Sequence, residues 1–376
     1  AVEIYEEILG EEVDNIDALH ALDKLYLKLE MWSELGENLT RQLELTYEPE
    51  SQSLLLRRLA KLQHEQLSET ELAIDTWRRA LDLDGADEEV ITAMESLLSS
   101  EDFAITVAKI LEPVYKNLQR WENLIRVFDI MKESSFDPME QIELIHRISG
   151  IYEDQLEDAK NAFLYYGKAF RIDPTHEETR GHLERLAGAL ENWDELFALY
   201  SEKVDDPEDV EVALDLQTRI AQLLPAAVND VERAAAAYNK LLEIKPDHVP
   251  AVEALEQLFM ANGDTDRMVT SILRKVELVF DPEEKKSLAF RAADIQLNQL
   301  EKTEDAVATY RLILEIDDSE MSALDALENI FVQAEDWDSL KDVYARKADL
   351  APDIEERKRM LYILGQVYDE ELKDLE

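Results

Sequence analysis

Four arginines recur in one local setting: Arg58-Leu59-Ala60, Arg147-Ile148-Ser149, Arg219-Ile220-Ala221 and Arg291-Ala292-Ala293. In a last copy, Ile363-Leu364-Gly365, the arginine is absent. A guanidinium can hold a carboxylate through two parallel hydrogen bonds. These side chains could therefore grip an acidic group or C-terminus of a partner. They could equally pair with acids of the chain itself, because an apolar-acidic step also recurs: Leu22-Asp23, Met94-Glu95, Leu183-Glu184, Leu255-Glu256 and Leu327-Glu328. Arg219 with Glu184 or Glu256 is one such pairing. The surrounding acid favours a ladder within the chain, with a partner site as the alternative. Exposed pairs contribute only about 0.2–1 kcal/mol each, so their role would be register and local neutralisation. The small third residue lets a neighbouring helix approach closely.

Other chemistry finds little support. There are no cysteines, which excludes disulfides, thiolate catalysis and cysteine-based zinc sites. His20, His64, His146, His176, His182 and His248 show no metal spacing, and His176 and His182, six apart, fall on different helical faces. Asp82-Leu83-Asp84-Gly85 mimics part of a calcium loop but lacks the ligands that should follow, so it reads as a turn. No glycine-rich phosphate loop or nucleophile–His–acid arrangement stands out, and carboxylates are too common for any pair to indicate acid/base work. No catalytic residue, metal or cofactor is expected.

The chain has 376 residues, 39 Lys+Arg against 86 Asp+Glu, and a net charge of −47. Such a field repels nucleic acid and anionic lipid and attracts basic partners. Only 9 Gly and 10 Pro in this length argue against a turn-rich β fold and against disorder. No apolar run approaches the length of a membrane span. The compartment stays open, with the cytoplasm favoured.

What must position the arginines is a repeat. Ala234…Tyr238 is copied at Ala306…Tyr310, Ala162…Tyr166, Ala73…Trp77 and Ala1…Tyr5, so the alanine anchors are spaced 72, 89, 72 and 72 residues apart. A fixed period means stacked units rather than one globular core. Trp32, Trp193 and Trp337 lie 31 residues after their alanines, each followed by leucine at +3 and an apolar residue at +7, which places them on one helix face. Trp121 is the same anchor displaced by 17 residues, and Thr265-x-x-Met268 departs from it. Each unit therefore has four helices, carrying in turn the Ala/aromatic anchor, the Leu-Glu step, the Trp anchor and the Arg-x-small motif. Breaks such as Asp173-Pro174, Val204 to Pro207 and Lys245-Pro246-Asp247 separate them, with Asp or Pro capping the next helix. The expected units are 1–72, 73–161, 162–233, 234–305 and 306–376. Seventeen extra residues near 99–115 read as Ser/Asp caps followed by an amphipathic helix, which either lengthens the second helix or adds one. The aromatic stripe is expected to pack between helices.

These residues resemble the tetratricopeptide repeat. Ala162, Tyr166, Ala169 and Pro174 match that family's second helix, as do Ala73, Trp77, Ala80 and the Gly85 slot. Ile148-Ser149…Tyr152 and Leu364-Gly365…Tyr368 fit its first helix. The Ala1–Leu35 step is 34 residues, the family's own period, and the Leu35–Ala73 step is 38. Acids in the Gly slot (Glu184, Glu256, Glu328) depart from the pattern. The array is similar to acidic, Trp-containing arrays of bacterial proteins. The resemblance implies an all-α, right-handed α-α superhelix of about 20 antiparallel helices, forming a single solenoid over 1–376. Because the first and last anchors are cut short, the chain reads as a fragment of a longer repeat protein.

The expected function is a non-enzymatic interaction scaffold that holds a basic or amphipathic protein segment on its concave face, with Arg58, Arg147, Arg219 and Arg291 as candidate contacts. The alternatives are a structural subunit of a cell-envelope or motility-type assembly, with self-association open, and a repeat region flanking a catalytic domain.

Overall fold

The computed structural model describes residues 1–205, 209–227, 230–367 and 369. The Pro207 break, Tyr368 and the end of the last unit lie outside the described residues. The chain divides into two compact units, Ala1–Asn192 and Trp193–Glu376. Among the described residues there are twenty-one α-helices and no strand.

The first unit holds α1 (Val2–Glu11), α2 (Ile16–Leu29), α3 (Trp32–Leu45), α4 (Pro49–Glu65), α5 (Thr70–Leu83) and α6 (Glu88–Glu95). A 3-10 turn, Ser96–Ser99, follows; then come α7 (Ala104–Asn117), α8 (Trp121–Ser134), α9 (Pro138–Asp154), α10 (Ala159–Ile172) and α11 (Glu177–Leu190). The second unit holds α12 (Trp193–Val204), α13 (Val210–Ala227), α14 (Val231–Ile244), α15 (Val249–Asn262) and α16 (Thr265–Leu278). It continues with α17 (Pro282–Asn298), α18 (Thr303–Ile316), α19 (Met321–Ala334), α20 (Trp337–Leu350) and α21 (Ile354–Gln366). Within each unit every helix packs on the next in sequence, as in an α-solenoid.

The anchors explain this packing. Ala73, Ala162, Ala234 and Ala306 are fully buried, and so are the small residues Ala60, Ser149, Ala221 and Ala293 after the arginines. A methyl or hydroxyl at these points lets backbones come close, and a larger side chain would cost about 1–3 kcal/mol of overpacking. Trp77, Tyr166, Tyr238 and Tyr310 fill the space left between helices and are buried too. Leu22, Met94, Leu183, Leu255 and Leu327 are buried, each contributing about 1.5–3 kcal/mol. Trp32, Trp121, Trp193 and Trp337 instead open their helices and stay half-buried. Trp32, Trp121 and Trp337 lie against the edges of apolar clusters, and Trp193 stacks on Phe197.

The turn before each of these helices is built one way. Glu30, Gln119, Glu191, Gly263 and Glu335 are all left-handed, with φ between 52° and 71°. The next amide in each case reaches back to the last turn, as Met31 N to Tyr26 O at 3.0 Å and Asp264 N to Phe259 O at 2.9 Å. Thr265 thus departs in residue type but keeps the turn, with Gly263 in the left-handed position.

Two local expectations are corrected. The N-cap of α11 is His176, accepting from Thr179 N, and that of α15 is His248, accepting from Ala251 N. Asp173 instead closes its own turn on Thr175. In the extra segment, α7 begins after Phe103 with no side-chain cap, so Ser99 and Ser100 end the 3-10 turn rather than start the helix. The segment does add a helix. Met94-Glu95 on α6 and Leu111-Glu112 on α7 are two copies of one step, the first spaced correctly from Ala73 and the second from Trp121.

Candidate functional site

The recurrent arginines lie on α4, α9, α13 and α17, and the recurrent acids on the helix two places earlier. Arg58 donates from both terminal nitrogens to Asp23, at 2.9 and 2.8 Å. Arg147 pairs with Glu112 and lies 4.1 Å from the centre of the Phe128 ring. Arg291 meets Glu256 at 2.7 Å. Each pair is separated by 35 residues. Asp23 and Glu256 are buried, so the arginine supplies what water cannot. Arg219 sits at the matching place on α13, half-buried. Its suggested partner Glu256 is engaged by Arg291.

Two acids of the series have no arginine 35 residues on, where the chain has Ile130 and Ile363. Glu95 accepts instead from the Tyr115 hydroxyl at 2.7 Å and Asn123 at 3.1 Å. Glu328 accepts from the Tyr344 hydroxyl at 2.8 Å and from Lys347. Burial first, then the carboxylate beside it, pushes the Tyr344 hydroxyl up to about 12.

A second constellation was not visible from spacing. His146 on α9 meets Glu178 and His182 on α11, with one possible ligand atom from each lying within 4.8 Å of the others. Tyr166 stacks on His182 at 4.5 Å and meets His146 edge-on at 5.1 Å. The Thr179 hydroxyl lies 2.8 Å from both His146 Nε2 and His176 Nδ1. Burial pushes His146 down to about 4 against the pull of Glu178, with smaller contributions in the same direction from His176 and His182. Sequence reasoning compared histidines along one helix, whereas this contact joins two helices.

A third feature is a recurring bare aromatic. Tyr47, Phe136 and Phe280 are 86%, 99% and 97% exposed. Each precedes an acid-proline pair that starts a helix: Glu48-Pro49, Asp137-Pro138 and Asp281-Pro282. The recurring aromatic-acid-Pro triplet was the available signal.

Among the described residues, no helix is long and apolar enough to cross a membrane. The family model for the tetratricopeptide repeat matches residues 18–53 and 323–358. The two segments begin at the same point of the array, Ala18 of α2 and Ala323 of α19, and each covers most of a helix pair. No curated protein matches the sequence. Similar solved structures include the C-terminal part of a TPR repeat-containing protein from Cytophaga hutchinsonii, at 15% identity. That match covers 67% of this chain and 98% of the other, with a TM-score of 0.30. Yeast Tom70 is also 15% identical, covering 98% of this chain and 91% of its own at a TM-score of 0.23. A tetratricopeptide repeat protein from Parabacteroides merdae, again 15% identical, covers 76% and 96% at 0.23. Repeats of this family generally serve as scaffolds that bind other proteins. Two stretches of this all-helical array, 18–53 and 323–358, thus match the tetratricopeptide repeat.

Proposed function

We propose that the chain is a non-enzymatic scaffold that holds a basic, amphipathic segment of a partner protein on the concave face formed by the first helices of its repeats. One observation carries this reading. The net charge is −47, and the cations best placed to offset it on those helices, Arg58, Arg147 and Arg291, are already engaged by the chain's own carboxylates. What remains facing solvent is strongly acidic, which attracts lysine- and arginine-rich segments and speeds their encounter. The arginine side chains stay 38%, 38% and 43% exposed. A partner carboxylate could therefore reach them only by displacing an internal one. Their role in this reading is register, with Arg219 assigned the same part by its position.

The test is the binding of a lysine-rich amphipathic helical peptide, followed by anisotropy from low to high ionic strength. Affinity should fall steadily with salt, since exposed charges more than about 8–10 Å apart are screened at physiological strength. Binding indifferent to salt, or equal binding of an acidic peptide, overturns the proposal.

A further inference from the structure

We propose that His146, Glu178 and His182 bind one divalent transition-metal ion of the zinc class, clipping α9 to α11 and leaving a fourth coordination position open. The three ligands come from two helices that are not neighbours in sequence. Glu178 and His182 are four residues apart, so they rise from one face of α11, and His146 faces them from α9. Ligand atoms around a tetrahedral ion with bonds near 2.0–2.2 Å stand about 3.4 Å apart. Here they lie within 4.8 Å of one another, and His182 Nε2 is 3.9 Å from Glu178 Oε1. Glu178 is exposed and free to swing the remaining distance.

The surroundings prepare the site. Tyr166 fixes both imidazoles, lying flat on one and edge-on to the other. Thr179 holds His146 by its hydroxyl, a contact of the kind that orients metal-binding histidines. One contact must give way: Arg185, anchored by Glu153 at 2.6 Å, donates to His182 Nδ1 at 3.2 Å, which keeps the ring proton on Nε2. Binding through Nε2 moves the ring proton to Nδ1 and releases that hydrogen bond, while Arg185 keeps its partner Glu153. The cleft leading to the site, about 570 Å³, is lined by four acids, Asp137, Glu140, Glu143 and Glu178, by His146 and His176, and by one cation, Arg147, which Glu112 holds. Acidic walls concentrate cations at its mouth. Two imidazoles and one carboxylate suit zinc, cobalt, nickel or copper rather than calcium or magnesium, which take oxygen ligands.

The experiment uses the full chain, stripped with a chelator and titrated with Zn²⁺ by calorimetry and Co²⁺ by visible absorption. One ion should bind per chain, Co²⁺ should develop the intense d–d bands of a tetrahedral site, and Zn²⁺ should abolish them and raise the melting temperature. His182→Ala should weaken binding roughly tenfold or more. Glu178→Gln, at an exposed position, should do the same without disturbing the fold and so separates a lost ligand from a lost structure. Zn²⁺ affinity unchanged in both variants would assign the binding to the general acidic surface and overturn the proposal. So would displacement of Co²⁺ by equimolar Ca²⁺.

Discussion

Arg58 closes on Asp23 with two hydrogen bonds of 2.9 and 2.8 Å, joining α4 to α2 across 35 residues of chain. Arg291 repeats this on Glu256, which is only 5% exposed. A carboxylate so placed depends on its cation. Arg291→Ala should lower stability by about 1–3 kcal/mol, the cost of a buried polar group left without its partner. The double change Arg291→Met with Glu256→Leu should recover most of that loss, because an apolar pair needs no counter-charge. Thermal unfolding of both variants measures it; a single variant as stable as wild type would deny the pair any structural part.

Backbone handedness gives a second expectation. A side chain costs about 1–2 kcal/mol in the left-handed region, and glycine does not. Gly263, at φ 71°, has that freedom, whereas Glu335 occupies the equivalent turn at φ 52°. Gly263→Ala should lower the melting temperature and Glu335→Gly should raise or hold it. Equal shifts of the same sign would mean that the two turns are not equivalent.

Leu255 tests the burial of the Leu-Glu step. It is 5% exposed on α15, next to the carboxylate that Arg291 already holds. Leu255→Glu should cost several kcal/mol, since it buries a second, unpaired charge. Leu255→Ala, which only opens a cavity, should cost about 2–5 kcal/mol. An unaltered melting curve for the glutamate variant would put this face in solvent.

The histidine cap of α15 should make the second unit sensitive to mild acid. His248 accepts from Ala251 N at 3.2 Å, which requires a neutral ring nitrogen. Burial first, and then Lys245, hold it below its ordinary 6.5, with Asp247 opposing. The unfolded chain therefore binds the proton more readily than the folded one. The cap's contribution is complete above pH 6.5 and is lost as pH falls below that value. His248→Asn keeps an acceptor at every pH. Melting temperatures of the two proteins from neutral to mildly acidic pH should diverge; parallel slopes would remove the cap from the account.

Much of this was legible before any coordinates, for one physical reason. In a stacked array each position meets the same neighbours in every copy, so Ala162, Ala234 and Ala306 announce a shared slot by recurrence. The arginine–acid relation was legible as two parallel series. Its register through the extra segment was obscured, because the Leu-Glu step occurs there twice and only the 35-residue spacing of the other pairs singles out Glu112 for Arg147. The caps escaped because aspartate is the commoner N-cap and stood one or three residues before the histidine used instead. The His146–Glu178–His182 cluster was illegible for the opposite reason to the anchors: it occurs in one copy alone, and its members lie 32 and 36 residues apart on separate helices.

The doubled step at Met94 and Leu111 has a consequence for how this molecule can grow. Upstream helices meet α6 in their usual frame and downstream helices meet α7 in theirs, so the intervening stretch is a phase-preserving splice. Neither flank needs retuning when something is carried between them. A guest loop, tag or small domain grafted between Ser100 and Phe103 would ride there as a passenger, and the scaffold would keep its grip on both sides.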